Sequence, residues 1–161
     1  MTSNGLPEVG SKAPSFSLMA TGGKKVTLKD FAGKRNLVLY FYPRDDTPGC
    51  TLEAGDFRDA FGSFEALDTV ILGVSADRLD SHEEFSTKLK LPFLLLSDPE
   101  VEVSTAYGVF GKKSFMGREF FGIHRTTFVI DKKGKIRQIF PRVKVKEHAA
   151  AVLDFVRDEL S

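Results

Sequence analysis

Residues 36–42 read NLVLYFY, a continuous apolar run rich in β-formers, and runs of that kind belong to strands covered on both faces. TVILGVS (69–75) and FLLLSD (93–98) repeat the pattern. Between the first two runs the period changes. Ala54, Phe57, Phe61 and Phe64 follow Cys50 at spacings of four, three, four and three, which draws one stripe along a helix with Cys50 at its head, facing inward. Ser81 with Glu84 has the pattern of a capping box and predicts the start of a helix carrying Phe85 and Leu89. Asp98 followed by Pro99 reads as an N-cap and N1 pair opening a short helix through Tyr107. A loop of Gly, Lys and Phe comes next, and then RTTFVID and KIRQIF flank KKGK as a hairpin. Ala149, Val152, Leu153, Val156 and Leu160 form the apolar stripe of a closing helix. Strands that alternate with helices and end in a hairpin plus a helix predict an α/β domain, a central mixed sheet with helices on both faces. No repeat or linker divides the chain, so one domain is expected over residues 1–161.

Composition narrows the function without naming it. The 161 residues suffice for a core that needs no disulfide or metal. No apolar run approaches the roughly 20 residues of a spanning helix, so no membrane association is expected. The opening MTSNGLPEVGSKAPSF has neither the apolar core of a signal peptide nor an Arg-rich amphipathic pattern, and the expected compartment is the cytoplasm. A net charge of +1 gives no global field for nucleic acid. Seven basic residues gather between 131 and 148, but they flank a hairpin turn and alternate with Ile136 and Ile139 as a solvated face does.

With one cysteine in the chain, an internal disulfide is impossible, and Cys50 is either a small buried residue or a reactive group. Its place at a helix start favours an anion by about 0.3–1 kcal/mol, too little by itself to make a thiolate at neutral pH. Asp45 and Asp46 lie nearby in sequence, and any field from them opposes the thiolate. A permanent cation is therefore needed, and arginine suits best. Arg44, Arg118 and Arg125 are the candidates. Arg44 sits in a polar loop and Arg118 in a Gly-rich segment, whereas Arg125 stands at the mouth of a buried strand, where a charge needs a partner. Arg125 is favoured.

FYPRDDTPGCTLE resembles the active-site signature of the peroxiredoxins, P-x-x-x-T-x-x-C, with Pro43, Thr47 and Cys50 in its three places. VGSKAPSFSL, GVSADRLDSHEEF, LPFLLLSDP and GIHRTTFVID are similar to the peroxiredoxin Q subfamily, also called bacterioferritin comigratory proteins. The resemblance implies a thioredoxin-like fold and a thiol-dependent peroxidase without a cofactor. By it, Cys50 is the nucleophile that attacks a hydroperoxide and becomes a sulfenic acid. Thr47 would offer its hydroxyl to the peroxide, Arg125 would hold the thiolate and the charge on the splitting O–O bond, and Pro43 would wall the pocket from water. Glu53 matches the position that orients the arginine.

One departure matters. Members of the subfamily carry a resolving cysteine five residues after the nucleophile or on a later helix; here the first position is Gly55, and the second has none. An external thiol such as thioredoxin, glutaredoxin or glutathione must then act as reductant, and a monomer or weak homodimer is expected. Gly55 and Gly62 each cost a helix about 1 kcal/mol relative to alanine, so the first turns are expected to open readily.

Other motifs carry less. GVFGKKS (108–114) fails as a phosphate loop, since the spacing needs glycine where Ala106 stands. Three scattered histidines and a cysteine form no metal-ligand cluster in the sequence. His82 and His148 are expected to be solvated in first helical turns, and His124 to stand clear of the site. Phe110, Phe115, Phe120 and Phe121 could line a pocket, meet a second copy or pack ordinarily. Two rival functions share the cysteine: a non-catalytic redox sensor, and a thioredoxin-like oxidoreductase, in which Thr47 would have to be the first cysteine of a Cys-x-x-Cys pair.

Overall fold

Alternation decides how the central strand is used. In the computed structural model, which describes residues 5–161, strand β3 (Asn36–Phe41) is buried along its whole length. Leu37, Leu39 and Phe41 join one hydrophobic cluster, while Val38 and Tyr40, continued by Tyr42, join another on the opposite face. The expectation about the N-terminus falls partly on residues 1–4, outside the described residues.

The chain runs β1 (Ser17–Ala20), β2 (Lys24–Thr27), a 3-10 turn (Leu28–Asp30), β3, α1 (Pro48–Ala66), β4 (Thr69–Ser75), α2 (Leu79–Leu89), β5 (Leu94–Ser97), α3 (Glu102–Ala106), β6 (Phe110–Phe115), β7 (Arg118–Ile123), β8 (Thr126–Ile130), β9 (Ile136–Phe140) and α4 (His148–Leu160). Seven strands form one sheet in the order β2-β1-β5-β4-β3-β8-β9, and β6 pairs with β7 apart from it. β3, β4 and β5 are parallel; the flanking pairs are antiparallel. This is the expected mixed sheet in a thioredoxin-like arrangement.

The two faces are covered unequally. Because β3, β4 and β5 are neighbours in sequence order, the right-handed crossovers put α1 and α2 on the same side. There α4 joins α1, and Phe57, Phe64, Phe85, Val152 and Val156 fill one core. The other face is covered by the short α3 and the segment before β1, through Phe16, Val103 and Tyr107.

Several expected boundaries change. The hairpin β1–β2 was not foreseen, and the presumed loop of Gly, Lys and Phe is the hairpin β6–β7, turning through Met116 and Gly117 at φ 51° and 79°. α2 starts at Leu79 after Arg78, so Ser81 is no N-cap; its hydroxyl donates to Asp45 Oδ2 at 2.8 Å instead. Likewise α3 starts at Glu102, and Pro99 is not its first residue. Asp98 still caps that helix from outside, accepting from the backbone N–H groups of Val103 (3.3 Å) and Ser104 (2.8 Å).

Candidate active site

Helix α1 begins where its sequence says it can. Thr47 is the N-cap in an extended conformation, Pro48 fills the first position, where a missing N–H costs nothing, and Cys50 is the third residue. Cys50 is therefore in the first turn, whose N–H groups have no partner within the helix, on the inner side and 1% exposed.

Arg125, just before β8, reaches this sulfur from the far side of the chain. Its Nη2 donates to Cys50 Sγ at 3.4 Å, and its Nη1 donates to Glu53 Oε1 at 2.7 Å. Cys50 and Glu53, three apart on α1, share one face, so a single guanidinium can bridge them. Gly49 makes room for it: a Cβ there would stand 3.1 Å from Arg125 Nη2. The glycine before the cysteine thus has a steric role that the sequence pattern did not reveal.

The bridge is electrically lopsided. Burial raises Glu53 to about 7, against the opposing pull of the Arg125 charge and hydrogen bond, and Glu53 Oε2 is buried with no hydrogen-bond partner. Burial works against the Arg125 cation too, but the charges of Glu53 and Cys50 outweigh it and raise its pKa. The two shifts describe one pair from opposite ends. The guanidinium stays charged at any working pH, and the carboxylate is the partner that yields its charge.

Pro43 and Thr47 lie in the link between β3 and α1. Pro43 is half-buried, and the half-buried Thr47 donates its hydroxyl to the Arg44 carbonyl at 3.0 Å, which leaves the oxygen free to accept. Arg44 is exposed, as expected, and so is Arg118. The two acidic neighbours are neutralised: Asp45 pairs with His82 at 2.7 Å, and Asp46 with Lys88 at 2.7 Å.

The sequence missed one further cation. Lys113 on β6 is half-buried, with its Nζ donating to the Ile123 carbonyl at 2.9 Å. Its pKa is lowered by burial and then by the Arg125 charge, while Cys50 opposes the shift, so it belongs to the same electrostatic neighbourhood. The expectation that His82 and His148 are solvated is overturned. His82 is fully buried against Asp45 and the Leu96 carbonyl, and His148 is buried with its Nε2 2.8 Å from Thr127 Oγ1 and its ring against Phe57 and Phe140. Burial, and then the Arg125 charge, lower His148 to about 4 and keep it neutral. His124 lies beside Gly111. Phe115 and Phe121 are 67% and 69% exposed, so ordinary packing does not describe that hairpin, and Leu52 beside Cys50 is exposed as well.

A buried cysteine at a helix start, contacted by an arginine on a thioredoxin-like sheet, defines a class of proteins built around one reactive thiol. Residues 9–139 match the AhpC/TSA family, and the chain belongs to that family. It is 48% identical over 151 residues to peroxiredoxin Bcp of Bacillus subtilis, covering 94% of this chain and 96% of that one. It is 42% identical over 151 residues to peroxiredoxin Bcp of Escherichia coli, with the same 94% and 96% coverage. Among solved structures, a Xylella fastidiosa PrxQ mutant superposes with a TM-score of 0.90 at 33% identity, over 96% of this chain and 98% of that one. A Xanthomonas campestris bacterioferritin comigratory protein, described in terms of its alkyl peroxide reduction activity, superposes at 0.86 with 38% identity, over 91% and 92%.

Proposed function

We propose that this protein is a thiol-dependent peroxidase that reduces hydrogen peroxide and organic hydroperoxides through Cys50. The observation that carries the reading is the 3.4 Å contact between Arg125 and the Cys50 sulfur at the start of α1. Its relatives' peroxiredoxin names, and the alkyl peroxide reduction ascribed to the Xanthomonas protein, support it.

In the first step the Cys50 thiolate attacks one peroxide oxygen. The S–O bond forms as the O–O bond breaks, the sulfur is oxidised to the sulfenic acid, and the leaving oxyanion takes a proton and departs as water or an alcohol. Arg125 supplies fixed positive charge where the O–O bond splits, an effect strongest in the transition state. The Thr47 hydroxyl hydrogen-bonds the peroxide, and Pro43 keeps water from the pocket.

With one cysteine in the chain, the second half of the cycle needs an external thiol. Its sulfur attacks the sulfenic acid and releases water, and a second thiol then resolves the mixed disulfide to restore Cys50. Thioredoxin, glutaredoxin or glutathione fits that chemistry, and the chain works as a monomer or weak homodimer in the cytoplasm. Cys50 is too buried for a thiol reductant to reach while α1 is intact. Gly55 and Gly62 interrupt that helix with residues of poor propensity, and we expect hydrogen exchange in residues 51–57 to be faster than in β3 and β4. Core-like protection there removes that route.

The deciding experiment is turnover. Hydrogen peroxide with excess thiol is consumed catalytically, Cys50→Ser abolishes this, and one equivalent of peroxide adds one oxygen to the intact mass. Stoichiometric oxidation without turnover would make the protein a redox sensor.

A further inference from the structure

A second cluster of buried polar groups lies beside the active site, between the link 43–46 and α2. Asp45 is its centre. Oδ1 accepts from Tyr42 OH at 2.6 Å, and Oδ2 accepts from Ser81 Oγ at 2.8 Å and faces His82 Nδ1 at 2.7 Å. The Asp45 backbone N–H donates to Asp77 Oδ2 at 2.8 Å. His82 Nε2 in turn meets the Leu96 carbonyl at 2.9 Å. Neither that carbonyl nor the carboxylate can donate, so each ring nitrogen of His82 faces an acceptor. Asp45, Asp77 and His82 have ligand atoms within 4.8 Å of one another, but those atoms are engaged in these hydrogen bonds.

The cluster ties the link that carries Pro43 and Thr47 to β3, to α2 and, through His82, to β5. The link needs such a tie, because its Asp46 adopts a left-handed φ of 60° without being glycine. The Thr47 hydroxyl donates to the carbonyl of Arg44, the residue next to Asp45, so its direction is set by the turn that Asp45 pins. The exposed Lys88–Asp46 pair is a weak second tie.

We propose that Asp45 and His82 are positioning residues for peroxide reduction, their buried pair anchoring residues 43–47 to α2 so that Thr47 and Pro43 keep their places at the start of α1, where Cys50 lies. This rests on the peroxidase reading. The pair touches neither sulfur nor peroxide; it acts through the link. It therefore governs the reaction that needs an oriented peroxide, and leaves untouched the Arg125 contact and the helix start at the sulfur.

Asp45→Asn, His82→Gln and the double variant test this. Two rates are measured for Cys50 at one pH, oxidation by hydrogen peroxide in stopped flow and alkylation by iodoacetamide, with near-UV circular dichroism and Tm as checks on folding. Oxidation should fall by about 10- to 100-fold, the scale of a misplacement near 1 Å. Alkylation should stay within about twofold, since thiolate character is unchanged. The double variant should be no slower than the slower single. Lys88→Ala, which removes only the weak exposed tie, should change both rates by less than about twofold. If Asp45→Asn or His82→Gln does not fold, Ser81→Ala, which removes one donor from Asp45, should show a smaller loss confined to oxidation. Folded variants that oxidise at the parent rate overturn the proposal, as does a parallel fall in alkylation. A parent chain that reacts with peroxide no faster than a free thiol defeats the peroxidase reading and this proposal together, whereas a fast parent with equally fast variants defeats this proposal alone.

Discussion

Glu53 and Asp45 are buried carboxylates on either side of the start of α1, each facing a basic side chain, and they are finished in opposite ways. Asp45 is saturated. Burial alone would raise its carboxyl, but hydrogen bonds from His82 and Tyr42, the His82 charge and the Ser81 hydroxyl hold it below the usual range. Glu53 has one strong bond, to Arg125, and a second oxygen with no hydrogen-bond partner, and burial raises it. The strand beneath repeats the contrast. Tyr42 OH donates to Asp45, while the hydroxyl of Tyr40, stacked against it at 5.5 Å, is buried without a partner. A saturated network costs least as a rigid support, whereas an unsatisfied one is tolerated where charge must be free to act. The saturated side backs the link, and the unsatisfied side lies under the sulfur.

Removing the cation that makes the unsatisfied side useful should give the largest effect. Arg125→Ala takes away the donor at the sulfur, and peroxide oxidation of Cys50 should fall about 10²–10³-fold, or ~3–4 kcal/mol of transition-state stabilisation. Stopped-flow oxidation rates measure it, and a loss below tenfold would mean that Lys113 or the helix start carries most of the work.

The two carboxylates should also oppose each other in pH. Glu53, raised from 4.5 to about 7 in the folded state, binds a proton more readily there than in the unfolded chain. Its contribution to stability is therefore fully present below pH 4.5 and lost as pH rises through about 7. The loss is about 3 kcal/mol at most, from 1.36 kcal/mol per unit. Asp45 runs the other way: its pKa is lowered, so its contribution is present above the ordinary carboxylate range and lost on acidification. His148, lowered from 6.5 to about 4, runs against Glu53 over nearly the same range. Denaturant unfolding between pH 4.5 and 8 should therefore be nearly flat in the parent and rise with pH in Glu53→Gln, and an identical profile in that variant would refute the assignment.

The tyrosines sharpen the contrast through stability. Tyr42→Phe strips Asp45 of a 2.6 Å bond and should cost about 1–3 kcal/mol, whereas Tyr40→Phe deletes an unpaired hydroxyl and should be neutral or stabilising by up to about 1 kcal/mol. Chemical denaturation midpoints distinguish them; equal losses would mean that the Tyr40 hydroxyl has a bound partner.

How much of this was legible in sequence follows from how local each cause is. The continuous apolar runs at β3 and β4 and the periodic stripe of Ala54, Phe57 and Phe64 are local patterns, and they lie where expected. Arg125 was legible because a charge at the mouth of an apolar strand needs a partner, and Glu53 came from family resemblance. Ser81, His82 and His148 were misread because their partners are distant: Asp45 takes the hydroxyl that looked like a cap, and Phe57 and Phe140 cover a ring that looked solvated. The β6–β7 hairpin escaped notice because its turn is Met116–Gly117 rather than Asn-Gly, and because exposed phenylalanines blur its alternation.

Gly49 offers the finest probe of the active side, because it alters the arginine's position without removing any polar group. A methyl group there would lie 3.1 Å from Nη2 of Arg125, tighter than ordinary packing. The Gly49 backbone has helical geometry that alanine accepts, and alanine is the better helix former by about 1 kcal/mol. Gly49→Ala should therefore fold at least as well as the parent while pushing the guanidinium a few tenths of an ångström from the sulfur. A shift that small should slow peroxide oxidation by about threefold to tenfold, well short of the ~10²-fold that accompanies a misplacement near 1 Å. Stability should rise or hold as the rate falls, and that divergence is the signature to measure, by Tm beside stopped-flow oxidation. A variant that keeps the full rate would show that the Arg125 contact tolerates displacement, and the difference between the rigid and the unsatisfied sides would then lie in charge rather than in geometry.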